Sequence, residues 1–161
     1  MPDRRSQQAG GASPPPGPPG PAGALTDEQF ARILEFRVAL RRFGRFSEEQ
    51  AAQYDLTAPQ HQLLLAIRGH PDPRGPTIAD VSRYLLTRHH STVGLVDRTQ
   101  ELGLIERHRD EDDARLVRLA LTPLGHERVN ALAQAHLKEL RSLAEVLGAL
   151  LQSEVDSSTS A

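Results

Sequence analysis

His90, Ser91 and Asp97 are the one grouping in this chain with the residue types of a hydrolytic triad. That chemistry needs an imidazole able to take the serine proton, and neighbours on a helix point about 100° apart, so His90 cannot serve Ser91 as a base. No glycine-rich phosphate loop accompanies them, and enzymatic activity is not expected. Seven histidines invite a metal site. Ligation wants imidazoles or carboxylates at three- or four-residue spacing on one helical face, and His61, His126, His136 and the His89-His90 pair do not offer it. Neither a metal nor a cofactor is expected, and zero cysteines exclude disulfides, thiolate ligands and thiol redox sensing. What remains is hydrogen-bonding chemistry, with arginine, histidine and serine side chains suited to phosphates and base edges.

These residues fall between Thr77 and Thr122, where the pattern reads as two amphipathic helices followed by two short strands around a charged loop. Thr77 with Asp80 starts the first helix, buried through Ile78, Val81 and Leu85, and a break is expected near Thr87. The second helix is expected over 89–100, with Thr92, Leu95, Val96, Thr99 and Leu102 facing a core. Its other face would carry His90, Ser91, Val93, Gly94, Asp97 and Arg98, flanked by Arg88 and His89. Gly94 lets a partner approach the backbone, at a helix-propensity cost of about 1 kcal/mol. Gly103 is placed to cap it, and strands follow over 104–107 and 116–121. At the tip between them, Asp110 and Asp113 are expected to orient Arg109 and Arg115 toward a narrowed minor groove. The layout is that of a winged helix-turn-helix, which places one helix in a DNA major groove and a strand-tip arginine on the flanking backbone or minor groove.

The rest of the chain must position this unit. Residues 1–24 are rich in proline and glycine and are expected to be disordered. A capping box at Thr26 to Gln29, with Leu25 and Phe30 as its staple, opens a helix carrying Phe30, Ile33, Leu34, Val38, Leu40 and Phe43 to about Phe46. Boxes at Ser47 to Gln50 and Thr57 to Gln60 predict a short turn over 48–53 and a helix over 58–68. Thr122-Pro123 opens a final helix whose apolar seam includes Val129, Leu132, Leu140 and Leu147, with a frayed tail over 153–161. The two apolar stripes come from opposite chain ends and exceed what one small lobe can cover, so an intertwined homodimer and an inverted-repeat site on double-stranded DNA are expected. The class is therefore mainly α with a small β-hairpin wing: a winged-helix lobe over about 56–122 and dimerisation helices over about 25–46 and 123–152, together one unit over 25–152. Formal net charge is −2, and between Thr77 and Thr122 seven arginines meet eight carboxylates, so bulk electrostatics do not drive nucleic-acid binding. With no membrane span and no apolar run behind Arg4 and Arg5, a cytoplasmic location is expected.

The segments LTAPQ at 56–60, TIADVSRYL at 77–85, LVDR at 95–98, GLIER at 103–107, RDEDDAR at 109–115 and LTPLG at 121–125 together resemble the MarR family over about 25–151. The resemblance implies a homodimeric winged-helix transcription factor on a pseudo-palindromic site, often a repressor released by a small phenolic or anionic aromatic compound. Its wing residues fall on Asp110, Asp113 and Arg115, with Ala114 where the family usually has another arginine. Gly94 stands where the family commonly places a base-reading arginine, and the segment after LTPLG is shorter than the usual pair of C-terminal helices, leaving either one long helix or a truncated second. The family's effector pocket falls on Phe36, Arg37, Tyr54 and His61. The alternative function is a winged-helix module without an effector, controlled by expression level or a protein partner.

Overall fold

The structure is a computed structural model that describes residues 25–159. In chain order the elements are α1 (Asp27–Ala52), α2 (Ala58–Arg68), α3 (Ile78–Tyr84), α4 (His89–Glu101), β1 (Ile105–Arg109), β2 (Val117–Leu121) and α5 (Pro123–Thr159). The expected disorder of 1–24 concerns residues outside this range. Thr26, Thr57 and Thr77 each form the complete capping box, with the threonine hydroxyl accepting the third backbone N–H and that residue's side chain accepting the threonine N–H. A cap of this kind contributes about 1 kcal/mol, enough to fix where each helix begins.

The helix ends are equally local in cause. Three of them close with a residue at positive φ and a backbone bond reaching back five residues, the geometry that satisfies the last free carbonyls. Asp55 (φ 57) does this after α1, Leu86 (φ 53) after α3 and Gly103 (φ 69) after α4. The bonds are Leu56 N to Ala51 O at 3.0 Å, Thr87 N to Ser82 O at 3.0 Å and Leu104 N to Thr99 O at 3.3 Å.

β1 and β2 form an antiparallel pair in the register Ile105 to Leu121 through Arg109 to Val117. Thr77 adds a bridge to Arg118, and Leu119 N donates to Pro76 O at 2.9 Å, so the segment before α3 lies along the hairpin's other edge. The core joins Leu56, Leu63, Leu64 and Ile67 of the α2 region with Val81, Leu95, Val96, Ile105, Leu119, Val129 and Leu132. Burying each such side chain contributes about 2 kcal/mol. Gly125 sits where a Cβ would come within 2.0 Å of Leu104 O, so the glycine of LTPLG lets α5 leave β2 against the α4–β1 turn.

Several expectations are corrected. The Ser47 box does not open a separate turn: α1 runs unbroken to Ala52, because nothing before Ser47 ends the helix and a capping sequence inside a continuing helix has no free N–H groups to satisfy. The C-terminal alternative resolves as one helix, and 153–159, read as tail, lie within α5. Leu102 is half exposed rather than core, since it is the C-cap and the chain turns away there. The strands begin and end a residue or two from the expected positions. Among the described residues no helix is long and apolar enough to cross a membrane.

Candidate nucleic-acid interface

α4 is fixed against α3 by hydroxyls as well as by apolar packing. Ser82 Oγ donates to Thr92 Oγ1 at 2.9 Å, and Thr87 Oγ1 lies 2.8 Å from the same oxygen, so three hydroxyls close the turn between the helices. Thr92, Leu95, Val96 and Thr99 form the buried face. The opposite face begins with Arg88, His89, His90 and Ser91, all exposed, continues through half-buried Val93 and Gly94, and ends at exposed Arg98. Arg88 is the N-cap and makes no side-chain cap bond, which leaves its guanidinium free to turn outward. Neither Arg88 nor Arg98 has an ion-pair partner among the described residues.

The acid on this helix is turned to structural use. Asp97 Oδ1 accepts from Arg107 Nη2 at 2.5 Å and Gln100 Oε1 accepts from Arg107 Nη1 at 2.6 Å, locking α4 onto β1. Its charge is thereby offset beside the outward face of α4.

At the wing tip, Asp113 orients Arg115 as expected: Arg115 Nε and Nη2 donate to the two carboxylate oxygens at 3.0 and 3.1 Å. That contact first, and the Arg115 backbone N–H second, hold the Asp113 carboxyl below the usual carboxylate range. The Arg115 side chain is 90 % exposed and Arg109 is exposed, so both guanidinium groups are presented outward.

Asp110 does not orient Arg109. Its Oδ1 accepts the N–H groups of Asp112 and Asp113 at 2.9 and 3.0 Å, and its Oδ2 accepts Arg118 Nε at 2.6 Å. The Asp113 N–H and then the Arg118 guanidinium pull its carboxyl down to about 2. The reason is directional: Asp110 follows the end of β1, where side chains alternate faces, so it points inward as Arg109 points out. Arg118, also inward, donates from Nη1 to Gly75 O at 2.8 Å and to Asp72 Oδ2 at 3.1 Å. Arg74 completes the cluster, holding Asp72 at 2.9 Å and Asp112 at 2.7 Å. This ion cluster joins the loop before α3 to the wing and was not anticipated from sequence. The available signal was an arginine in a strand between half-buried Val117 and buried Leu119, with an aspartate beginning the turn two residues beyond its strand partner His108.

The four residues read as an effector pocket are not gathered into one. Arg37 is exposed on α1 and Phe36 is half buried. Tyr54 packs beside the core with Arg128 over its ring at 5.4 Å. His61 is buried against His136, ring centroids 4.6 Å apart, with Phe43 and Phe46 edge-on to His136. Burial, and then the neighbouring His136, lower the His61 pKa to about 4. His61 forms this ring pair in the α1/α2/α5 junction because α2 presents its Gln60, His61, Leu63 and Leu64 side to the other two helices. No cluster of three or more metal-binding side chains occurs among the described residues.

A three-element helical lobe with a braced outward helix, beside a two-stranded wing bearing outward arginines, defines a winged helix-turn-helix DNA-binding protein. Residues 54–116 match the model of the MarR family. The chain is 26% identical over 125 residues to the uncharacterised HTH-type transcriptional regulator YsmB of Bacillus subtilis (strain 168), covering 75% of this chain and 84% of that protein. In fold it is similar to the Staphylococcus aureus MepR–DNA complex, with TM-score 0.60 and 20% identity over 83% of this chain and 99% of that one. It is likewise similar to Bordetella bronchiseptica BpsR, whose DNA binding is regulated by 6-hydroxynicotinic acid, with TM-score 0.58 and 22% identity over 80% and 98% of the two chains. The winged-helix segment of the chain is thus similar to the MarR family of transcriptional regulators, which are non-enzymatic DNA-binding proteins.

Proposed function

We propose that this regulator acts as a homodimeric repressor that reads an inverted repeat on double-stranded DNA and leaves it when a small anionic aromatic compound binds. The observation that carries the reading is the outward face of α4, where Arg88, His89, His90, Ser91 and Arg98 stand exposed beside a wing that presents Arg109 and Arg115. Val93 and Gly94 make the close contact with the groove, His90, Ser91 and Arg98 reach base edges, and Arg88 and His89 meet phosphate. Asp113 acts through Arg115, holding it for the flanking minor groove.

The dimer is supported by apolar surface left uncovered in one protomer. Phe30, Ile33, Leu34 and Leu40 of α1 and Leu137, Leu140 and Leu147 of α5 are each at least 40% exposed, far more than a soluble protein leaves without a partner. These helices come from the two ends of the unit proposed over 25–152, with the DNA-binding lobe between them. Ligand release is supported by BpsR, whose DNA binding is regulated by 6-hydroxynicotinic acid.

Fluorescence anisotropy on the promoter upstream of the protein's own gene tests the reading, paired with sedimentation. We expect a dimer at micromolar concentration, at least about a hundredfold preference for an inverted repeat over random duplex, and release by salicylate or 6-hydroxynicotinate. A monomer without sequence preference overturns it. Tight operator binding that is indifferent to a broad panel of aromatic acids would instead favour a winged-helix regulator without a small-molecule effector.

A further inference from the structure

We propose that the cleft between the end of α2, the loop before α3, the base of the wing and the start of α5 binds a small organic anion through its carboxylate or phosphate, and that the bound anion frees the wing. The inference rests on the ligand-released reading above and gives that ligand a place other than the α1/α2/α5 junction. The cleft holds about 400 Å³, in the range of small-molecule sites. Ile67, Leu119 and Leu121 give it an apolar floor, and its polar wall is basic: Arg68, Arg74, His70, His108 and His126.

Arg68 is exposed at the end of α2 and has no ion-pair partner among the described residues. The one carboxylate in the lining, Asp72, is already saturated, accepting from Arg74 Nη2 at 2.9 Å and from Arg118 Nη1 at 3.1 Å. His70 spends Nδ1 on Tyr84 Oη at 2.9 Å and His108 donates from Nε2 to Arg74 O at 3.1 Å, so each ring keeps its second nitrogen for a ligand. A free guanidinium, three imidazoles and a neutralised acid over an apolar floor suit an anionic head on a small hydrophobic body.

The coupling runs through Arg74. Its guanidinium, with the side chain 44% exposed, is the tie between the loop at Asp72 and the wing tip at Asp112, 2.7 Å away. An anion drawn in by Arg68 competes with both carboxylates for Arg74. Losing the Asp112 contact unties the wing from the loop before α3 at that point, while Asp110, bonded to Arg118 and to the Asp112 and Asp113 N–H groups, keeps the hairpin folded. The ligand thus differs in affinity between a held and a freed wing, which is what release of DNA requires.

The test titrates the full chain calorimetrically with salicylate and, separately, with inorganic phosphate, each against wild type, Arg68→Ala and Arg74→Gln, with operator anisotropy run in parallel. We expect saturable binding of at least one probe, weakened at least about fivefold by Arg68→Ala, and operator affinity lowered at least about fivefold by that probe in wild type only. Binding by salicylate alone assigns an organic carboxylate, and by phosphate alone a phosphate monoester. Arg74→Gln should mimic the ligand, weakening operator binding without any probe while the protein stays folded. If neither probe binds, or binding ignores Arg68→Ala, the site is overturned. Salicylate release of DNA that persists in Arg68→Ala leaves the ligand-released reading standing and refutes this cleft. Failure of release with every aromatic acid refutes that reading instead.

Discussion

Gly94 lies at half burial in the outward face of α4, and a Cβ added there would meet nothing nearer than Arg98 Nη1 at 3.4 Å. Inside this protein a methyl group therefore fits, and a glycine in mid-helix costs about 1 kcal/mol relative to alanine. The fold gives no reason for the glycine; the proposed reading supplies one, a DNA backbone or base edge close enough to exclude a side chain. Gly94→Ala is expected to raise the unfolding free energy by about 1 kcal/mol in urea titration. The same variant should weaken operator binding at least about tenfold, the loss of one good base contact. A variant that is more stable and binds DNA as wild type does would show that this part of α4 never enters the groove. Arg98, one turn on, was legible as an outward residue from helical spacing alone, whereas the inward turn of Asp110 was not, because its partners Arg118 and Arg74 reach it only once the hairpin and the loop before α3 are in place.

At the scale of elements, the helix starts were legible since each capping box is written in four consecutive residues. The Ser47 box misled for the same reason: a local signal cannot say whether a helix already occupies the position. Helix ends obey a similarly local rule, and the turn after α3 departs from it. Gly103 closes α4 at φ 69, but the equivalent place after α3 holds Leu86 at φ 53, 92% exposed. A branched side chain at positive φ costs about 1–2 kcal/mol, and its exposure means no packing offsets that. Leu86→Gly should therefore stabilise the fold by about 1 kcal/mol, after the glycine's greater freedom in the unfolded chain is discounted. A melting temperature higher by about 3 °C checks it, and an unchanged or lower one shows that the leucine makes contacts worth the strain. The wing needed a longer reach than such rules have. Its brace spans 46 residues from Asp72 to Arg118, and only the fold brings together a loop aspartate, a strand arginine and a turn aspartate.

Across the whole molecule, the place where α2 meets α1 and α5 is filled by two imidazoles rather than by hydrocarbon. His136 Nδ1 lies 2.7 Å from Leu132 O, so that nitrogen carries the proton, and neither His61 Nδ1 nor His136 Nε2 has a partner. A proton added to His61 would place a charge in a buried site against the His136 ring, which is why burial and then His136 lower its pKa to about 4 from an ordinary 6.5. The unfolded chain takes up that proton as pH drops below about 6.5 and the folded chain refuses it until about 4, so unfolding gains a proton across this window. Stability contributed by the neutral ring is thus complete above about pH 6.5 and declines on acidification, with a slope approaching about 1.4 kcal/mol per pH unit. Urea titrations at pH 7, 6 and 5 should show this decline in wild type and a shallower one in His61→Gln. The loss falls where α2 packs against α1 and α5, the helices of the proposed dimer interface. Operator affinity measured across the same range should fall with stability in wild type and flatten in His61→Gln; equal slopes in the two proteins would rule His61 out as the source.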